Sequence, residues 1–118
     1  MKRAKPAQLF ATADNERAVQ NDIKREATRR GHGPIGHAQK VCVDGRWFTP
    51  MARGFPDLVI PCPSIETLVI VEVKLTRKHP LDPDQTKWVK ALQACTQVET
   101  WVIAQEDLPA LYQVFDGN

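Results

Sequence analysis

Apolar residues recur every four positions at Val19, Ile23 and Ala27, which lays a single apolar stripe along a helix. Thr12 or Asp14 can cap that helix and Gly31 can end it, so the pattern predicts a helix from about residue 12 to Arg30. Residues 31–40 carry three glycines and a proline and read as a loop. Val41-Cys42-Val43 and Arg46-Trp47-Phe48 flank Asp44-Gly45, a hairpin signal because both turn positions need positive φ. A second loop, Thr49 to Pro56, leads into a short strand, Asp57-Leu58-Val59-Ile60, broken by Pro61-Cys62-Pro63-Ser64. Leu68 to Lys74 is apolar up to Glu72, the pattern of a central strand covered on both faces.

Asp82 as N-cap, Pro83 at the first helical position and Gln85 at the third open a second helix, with Trp88, Ala91, Leu92 and Cys95 as its apolar stripe. Trp101 to Ala104 reads as one more strand. Leu108 to Phe115 reads as a closing helix that packs Leu111, Tyr112 and Phe115. The order predicts an α/β fold, a mixed central sheet flanked by helices. It forms a single domain over residues 12–118 behind a flexible basic arm, residues 1–11.

Composition narrows the class. A chain of 118 residues with 42% hydrophobic positions suits one compact core. No apolar run approaches the roughly 20 residues of a membrane span, and no signal-type stretch follows the basic Met1 to Pro6. A soluble, cytoplasmic protein without a membrane partner is expected. Cys42, Cys62 and Cys95 are odd in number and widely spaced, so they predict thiols, neither a disulfide framework nor zinc.

Net charge is only +2, but its distribution is uneven. Residues 1–30 hold eight Lys or Arg against four acids, whereas residues 91–118 hold four acids and no Lys or Arg. A basic first quarter fits a polyanion-binding face, although basic helices are more often merely solvated.

One segment departs from simple patterning. Side chains two apart on a strand share a face, so Glu72 and Lys74 project together while Val73 faces away. Burying such groups is costly unless they pair or bind something. Taken alone they read as an ordinary ion pair at a strand end. Pro56-Asp57 heads the neighbouring strand, however, and brings a second carboxylate to the same edge. Two carboxylates and a lysine are the ingredients of a site for magnesium or manganese, which favour hard oxygen ligands.

Gly54-Phe55-Pro56-Asp57, fourteen intervening residues and then Glu72-Val73-Lys74 resemble the signature of the PD-(D/E)XK nuclease superfamily. The flanking elements look closest to two of its branches, the virus-type replication-repair nuclease (VRR-NUC) domains and the Holliday junction resolvases of archaeal and phage type. The likeness spans residues 14–115. It implies a restriction-endonuclease-like core that binds Mg2+ or Mn2+ through Asp57, Glu72, the backbone carbonyl of Val73 and a glutamate of the first helix. Glu16 and Glu26 both fall near the apolar stripe of that helix, and the early position of the family's acid selects Glu16. The competing reading of Glu16 is a carboxylate favourably placed near a helix N-terminus. Lys74 would orient or deprotonate the attacking water, or stabilise transition-state charge. Gln85 matches a glutamine that reaches the family's active site, while the residues alone read it equally well as a capping partner for Asp82.

Arg53, Arg77 and Lys78 flank this motif, and with Arg17 and Lys24 they are the candidates for contacts to the DNA backbone. His32 and His37 are candidates for phosphate contact or, more simply, surface histidines. Trp47 and Trp88 read as packing residues before base-stacking ones. The resemblance implies a magnesium-dependent, structure-selective DNA endonuclease, first of all a Holliday junction resolvase working as a homodimer and encoded by a phage or mobile element. The alternatives are a replication-repair nuclease without junction preference and a catalytically silent DNA-binding module.

Overall fold

The computed structural model describes residues 12–37, 41–48, 54–76, 78 and 80–118. Arg53, Arg77 and the basic stretch over residues 1–11 lie outside the described residues. Among the described residues there are three α-helices: α1 (Thr12–Arg29), α2 (Pro83–Gln93) and α3 (Leu108–Phe115). The strands are β1 (Gly36–His37), β2 (Val41–Val43), β3 (Arg46–Phe48), β4 (Leu58–Cys62), β5 (Thr67–Val73) and β6 (Val98–Ile103). The main sheet runs β1-β4-β5-β6, with β1/β4 and β4/β5 antiparallel and β5/β6 parallel. The fold is therefore α/β with a mixed sheet. Among the described residues no helix is long and apolar enough to cross a membrane.

β5 has strands on both sides and is buried from Val69 to Val73, as its unbroken apolar run requires. Val69, Val71 and Val73 join Leu58, Ile60 and Cys62 of β4 and Val19, Ile23 and Ala27 of α1 in one cluster, closed by Leu111 and Phe115 of α3. Full burial of each such side chain contributes about 1.5–3 kcal/mol. Ile23, which is fully buried, is a position where truncation to Ala costs about 2–5 kcal/mol.

α1 lies antiparallel to β5. It closes with paired bonds, Gly31 N–H to Thr28 O and His32 N–H to Ala27 O, and the exiting chain ties Gly33 N–H to Pro61 O at 2.8 Å. Pro61 faces Leu68 at the start of β5. The first turns of α1 are thereby carried to the other end, over the C-terminal end of β5.

Three sequence expectations are corrected. Gly36 and His37, inside the expected loop, form β1 by pairing with Val59 and Leu58. Pro61 does not break β4, which continues through Cys62. The Pro61 carbonyl, and with it the position of its missing N–H, points away from β5 toward Gly33, so the β4/β5 ladder loses no bond. The Asp44-Gly45 hairpin forms as expected, a two-stranded ribbon outside the main sheet, turned by Asp44 (φ 52°) and Gly45 (φ 75°). In α2 the buried residue is Val89, while Ala91 and Cys95 are exposed; the packed face runs Gln85, Trp88/Val89, Leu92, because the helix ends at Gln93.

Candidate active site

Alternation along β5 turns Glu72 away from the α1/α3 cluster, and there it meets α2. Gln85 Nε2 donates to Glu72 Oε2 at 3.1 Å, and Gln85 Oε1 accepts from Lys74 Nζ at 2.9 Å. Lys74 Nζ lies 3.8 Å from Glu72 Oε2. Glu72 and Lys74 are only 4% and 8% exposed, which removes most solvent screening from the pair. Glu72 Oε1 is buried without a hydrogen-bond partner.

Gln85 serves two ends at once. Its N–H donates to Asp82 Oδ1 at 2.8 Å and its Oε1 accepts the Asp82 N–H at 3.0 Å, a complete capping box. The two readings left open by the sequence thus coexist: the amide that caps α2 also bridges Glu72 and Lys74. The Gly54-Phe55 segment seats this helix end. Gly54 has φ +85°, and a Cβ there would lie 2.5 Å from the Asp84 carbonyl carbon and 2.7 Å from Gln85 N, so no side chain fits. Phe55 packs edge-on to Trp88 with centroids 4.9 Å apart, which makes Trp88 a packing residue.

Asp57 reaches the same end of the sheet from the head of β4, and its Oδ2 accepts the Val73 N–H at 2.9 Å. Burial pushes the Asp57 carboxyl up to about 6, aided by the charge of Glu16 and opposed by its bond to the Val73 N–H, by the Gln20 amide and by Lys74. Burial likewise drives Glu72 up to about 8, with Asp57 the next cause and Glu16 a further one, and Lys74 acting in the opposite direction. The effect of the Asp57 charge on Glu72 marks the two carboxyls as near neighbours in a low-dielectric site.

Glu16, in the early turns of α1, lines a small cleft of about 50 Å³ with Val19, Lys74, Leu75 and Gln105. Glu26 is elsewhere. Ten residues along a helix displace it by roughly 15 Å, and it accepts from Arg29 and Arg30, which hold its carboxyl below the usual glutamate range. Arg30 also binds Asp116 at 2.6 Å and lies over Tyr112, so Glu26 belongs to the tie between α1 and α3.

Arg17 is exposed and Lys24 half-buried on α1, and both act electrostatically on His37. Lys78 is exposed. The histidines are not free surface groups. His32 is buried with Nε2 2.8 Å from Phe115 O, and His37 is half-buried with Nε2 2.9 Å from Gln20 Oε1. Gln20 is the residue that sequence reasoning missed. It lies one turn after Glu16, but an amide four residues from an acid is too common on helices to stand out.

No group of three His, Cys, Asp or Glu side chains that could hold a metal ion is found among the described residues. Two carboxylates nevertheless suit magnesium, which keeps several waters and needs only one or two such ligands. The unpartnered Glu72 Oε1 and the two upward-shifted carboxyls would each be stabilised by a nearby positive charge. No family model, curated protein or solved structure matches the chain.

Proposed function

We propose that this chain is a magnesium- or manganese-dependent endonuclease that hydrolyses phosphodiester bonds in DNA, with Asp57, Glu72 and Lys74 at its centre. One observation carries the reading. A buried and a half-buried carboxylate, Glu72 and Asp57, stand beside a buried ammonium at the carboxyl end of the parallel β5/β6 pair, and the charge of Asp57 repels that of Glu72. That is the end where ligands of open α/β sheets gather. A merely structural ion pair needs one acid for one lysine, and the second acid makes folding costlier.

Asp57 and Glu72 would hold the cation, with the Val73 carbonyl beside them and Glu16 opposite. When bound, the cation would lower the pKa of a water and neutralise charge on the phosphate. Lys74 borders the cleft shared with Glu16 and would stabilise the charge that grows on the phosphoryl group, a preorganised role in a dry site. Gln85 fixes the distance between Lys74 and Glu72. Arg17, Lys24 and Lys78 would contact backbone phosphates, which positions a duplex without reading its bases. Recognition by shape follows, and four-way junctions are the proposed substrate. Two symmetric cuts then require two active sites and a two-fold dimer.

The test is cleavage of end-labelled four-way junctions, flaps, single strands and linear duplex, each with magnesium or EDTA. Paired symmetric nicks confined to the junction support the resolvase. Metal-dependent cutting of flaps, strands or duplex moves the chain to the replication-repair type. Tight binding without any cutting contradicts the enzyme and leaves a DNA-binding module.

A further inference from the structure

The two edges of the main sheet differ. β1 is two residues long and contains Gly36, the kind of short edge that does not recruit another strand. β6 is six residues long and holds none of the proline, lysine or glycine that blunt an edge. We propose that the free edge of β6 is where two copies of this chain pair, antiparallel about a two-fold axis at Thr100. This names the surface behind the dimer that junction cutting requires, and for its purpose it rests on that reading.

The backbone fixes which groups are on offer. Leu68 N–H donates to Gln97 O and Lys74 N–H to Ile103 O, so Gln97, Glu99, Trp101 and Ile103 in turn serve β5. The N–H and C=O of Thr100 and Val102 and the C=O of Val98 therefore point away from β5. Among the described residues no strand pairs with β6 on that side. The Val98 N–H turns back to Cys95 O at 3.4 Å.

Antiparallel pairing sets outward residues opposite outward residues. Of the symmetric registers, only the one centred on Thr100 opposes all three: Thr100 to Thr100, and Val98 to Val102 on either side. Thr100 N–H then donates to Thr100 O of the second copy, and Val102 N–H to Val98 O of the second copy. The symmetry makes each bond twice.

The side chains fit the same register. Val98 and Val102 lie on the face of Glu72, which neighbours Val102 across the sheet. Val102 is a large apolar side chain left 38% exposed, and Val98 of the second copy would cover it. On the other face Glu99 comes opposite Trp101, whose Nε1–H already donates to Glu99 Oε1 of its own chain at 3.0 Å. Like charges do not meet. Glu106 and Asp107, beyond one β6, come to the end of the other that carries the uncharged Gln93 to Gln97.

The pairing also places the two sites. The axis stands perpendicular to the continuous sheet, so both Glu72 side chains lie on one surface of the dimer. They are separated by three strand spacings across and four residues along, roughly 20 Å. Two strands of one junction are then within reach of both sites at once.

Sedimentation equilibrium of the full chain, without DNA or metal, tests the interface. Thr100→Pro removes an N–H that faces outward and spares the bonds to β5. Val102→Lys, at an exposed position, puts a charge on the edge and serves should proline unfold the chain; melting curves check both. Wild type is expected to dimerise, and each variant to raise the dissociation constant roughly tenfold or more. In a Cys95→Ser background, a short bis-maleimide should join Glu99→Cys to itself, since the two positions are diagonal neighbours about 7–8 Å apart. Thr28→Cys on α1 should not be joined. On a junction, wild type should make paired nicks and folded Thr100→Pro independent ones.

A monomeric wild type, folded variants that both remain dimers, or cross-linking no better at Glu99→Cys than at Thr28→Cys would overturn the interface. A dimer lost in the variants, with no cleavage of any DNA, supports the interface and overturns the nuclease reading alone. A wild-type monomer that cuts in magnesium does the reverse.

Discussion

Asp57 Oδ2 accepts the Val73 N–H at 2.9 Å, so a side chain closes the β4/β5 ladder where the backbone of β4 has run out. β4 begins at Leu58, opposite Val71, and the next inward-facing position opposite Val73 is filled by Pro56, a buried residue. The bond does two things. It completes the hydrogen bonding of a buried strand end, and it holds a carboxylate beside Glu72 at that end. Structure and chemistry share one atom, and changes at Asp57 therefore affect both.

The first prediction concerns pH and stability. The Asp57 and Glu72 carboxyls stand at about 6 and about 8 in the fold, above the usual range near 4. The folded chain thus keeps protons that the unfolded chain has already released. The stability tied to these protons is fully present below about pH 4 and is lost as pH rises through 6 to 8. In EDTA, the melting temperature should fall between about pH 5 and about pH 8.5, and magnesium should restore much of the loss at the upper end. A profile that is flat over this interval, or unaffected by magnesium, contradicts it.

The second follows from the same burial. Glu72→Gln keeps the shape and a hydrogen-bonding oxygen and removes the ionisation. It should raise metal-free stability at about pH 8 by about 1–3 kcal/mol while abolishing activity, the trade-off expected where function strains a fold. Its pH–stability slope should be shallower than that of wild type. Chemical denaturation of both proteins at two pH values decides the point.

The third separates the two glutamates of α1. Glu16→Ala should reduce cleavage at least tenfold and leave the melting temperature near that of wild type. Glu26→Ala should do the opposite, because it releases Arg30 from one of its two carboxylates and loosens α3. The fall in melting temperature should be small, because ion pairs near the surface are screened by solvent. Loss of cleavage at Glu26 alone reverses the assignment.

The fourth concerns the seat of α2. A Cβ at Gly54 would meet the Asp84 backbone at 2.5 Å at a positive φ. Gly54→Ala should therefore cost about 2–4 kcal/mol and shift Gln85 away from Lys74. Activity should fall further than in Gln85→Ala, which leaves α2 in place. Equal activity and stability in Gly54→Ala and wild type contradicts the seating role.

Much of this arrangement was legible in the residues because it rests on local chemistry. Asp82, Pro83 and Gln85 announce a capping box, and Asp44-Gly45 announces a turn with two positive φ angles; both formed as expected. The shared face of Glu72 and Lys74 follows from strand alternation alone. What stayed hidden depends on partners distant in sequence. β1 has two residues in a glycine-rich stretch, and only the edge of β4 makes it a strand. Pro61 reads as a breaker until its carbonyl is seen to face Gly33. Gly54 carries no signal of the α2 backbone against it. Gln20 acquires meaning only through His37, whose Nε2 lies 2.9 Å from its Oε1.

The central claim, metal-assisted phosphodiester hydrolysis at Asp57, Glu72 and Lys74, is tested most directly by single-turnover cleavage of a labelled four-way junction. Wild type, Asp57→Asn, Glu72→Gln and Lys74→Met are compared in magnesium and in EDTA. Cleavage by wild type in magnesium alone, with a loss of at least about a hundredfold in each variant and junction binding retained, is the predicted result. Full cleavage by Asp57→Asn or Glu72→Gln, or equal cleavage in EDTA, would contradict it.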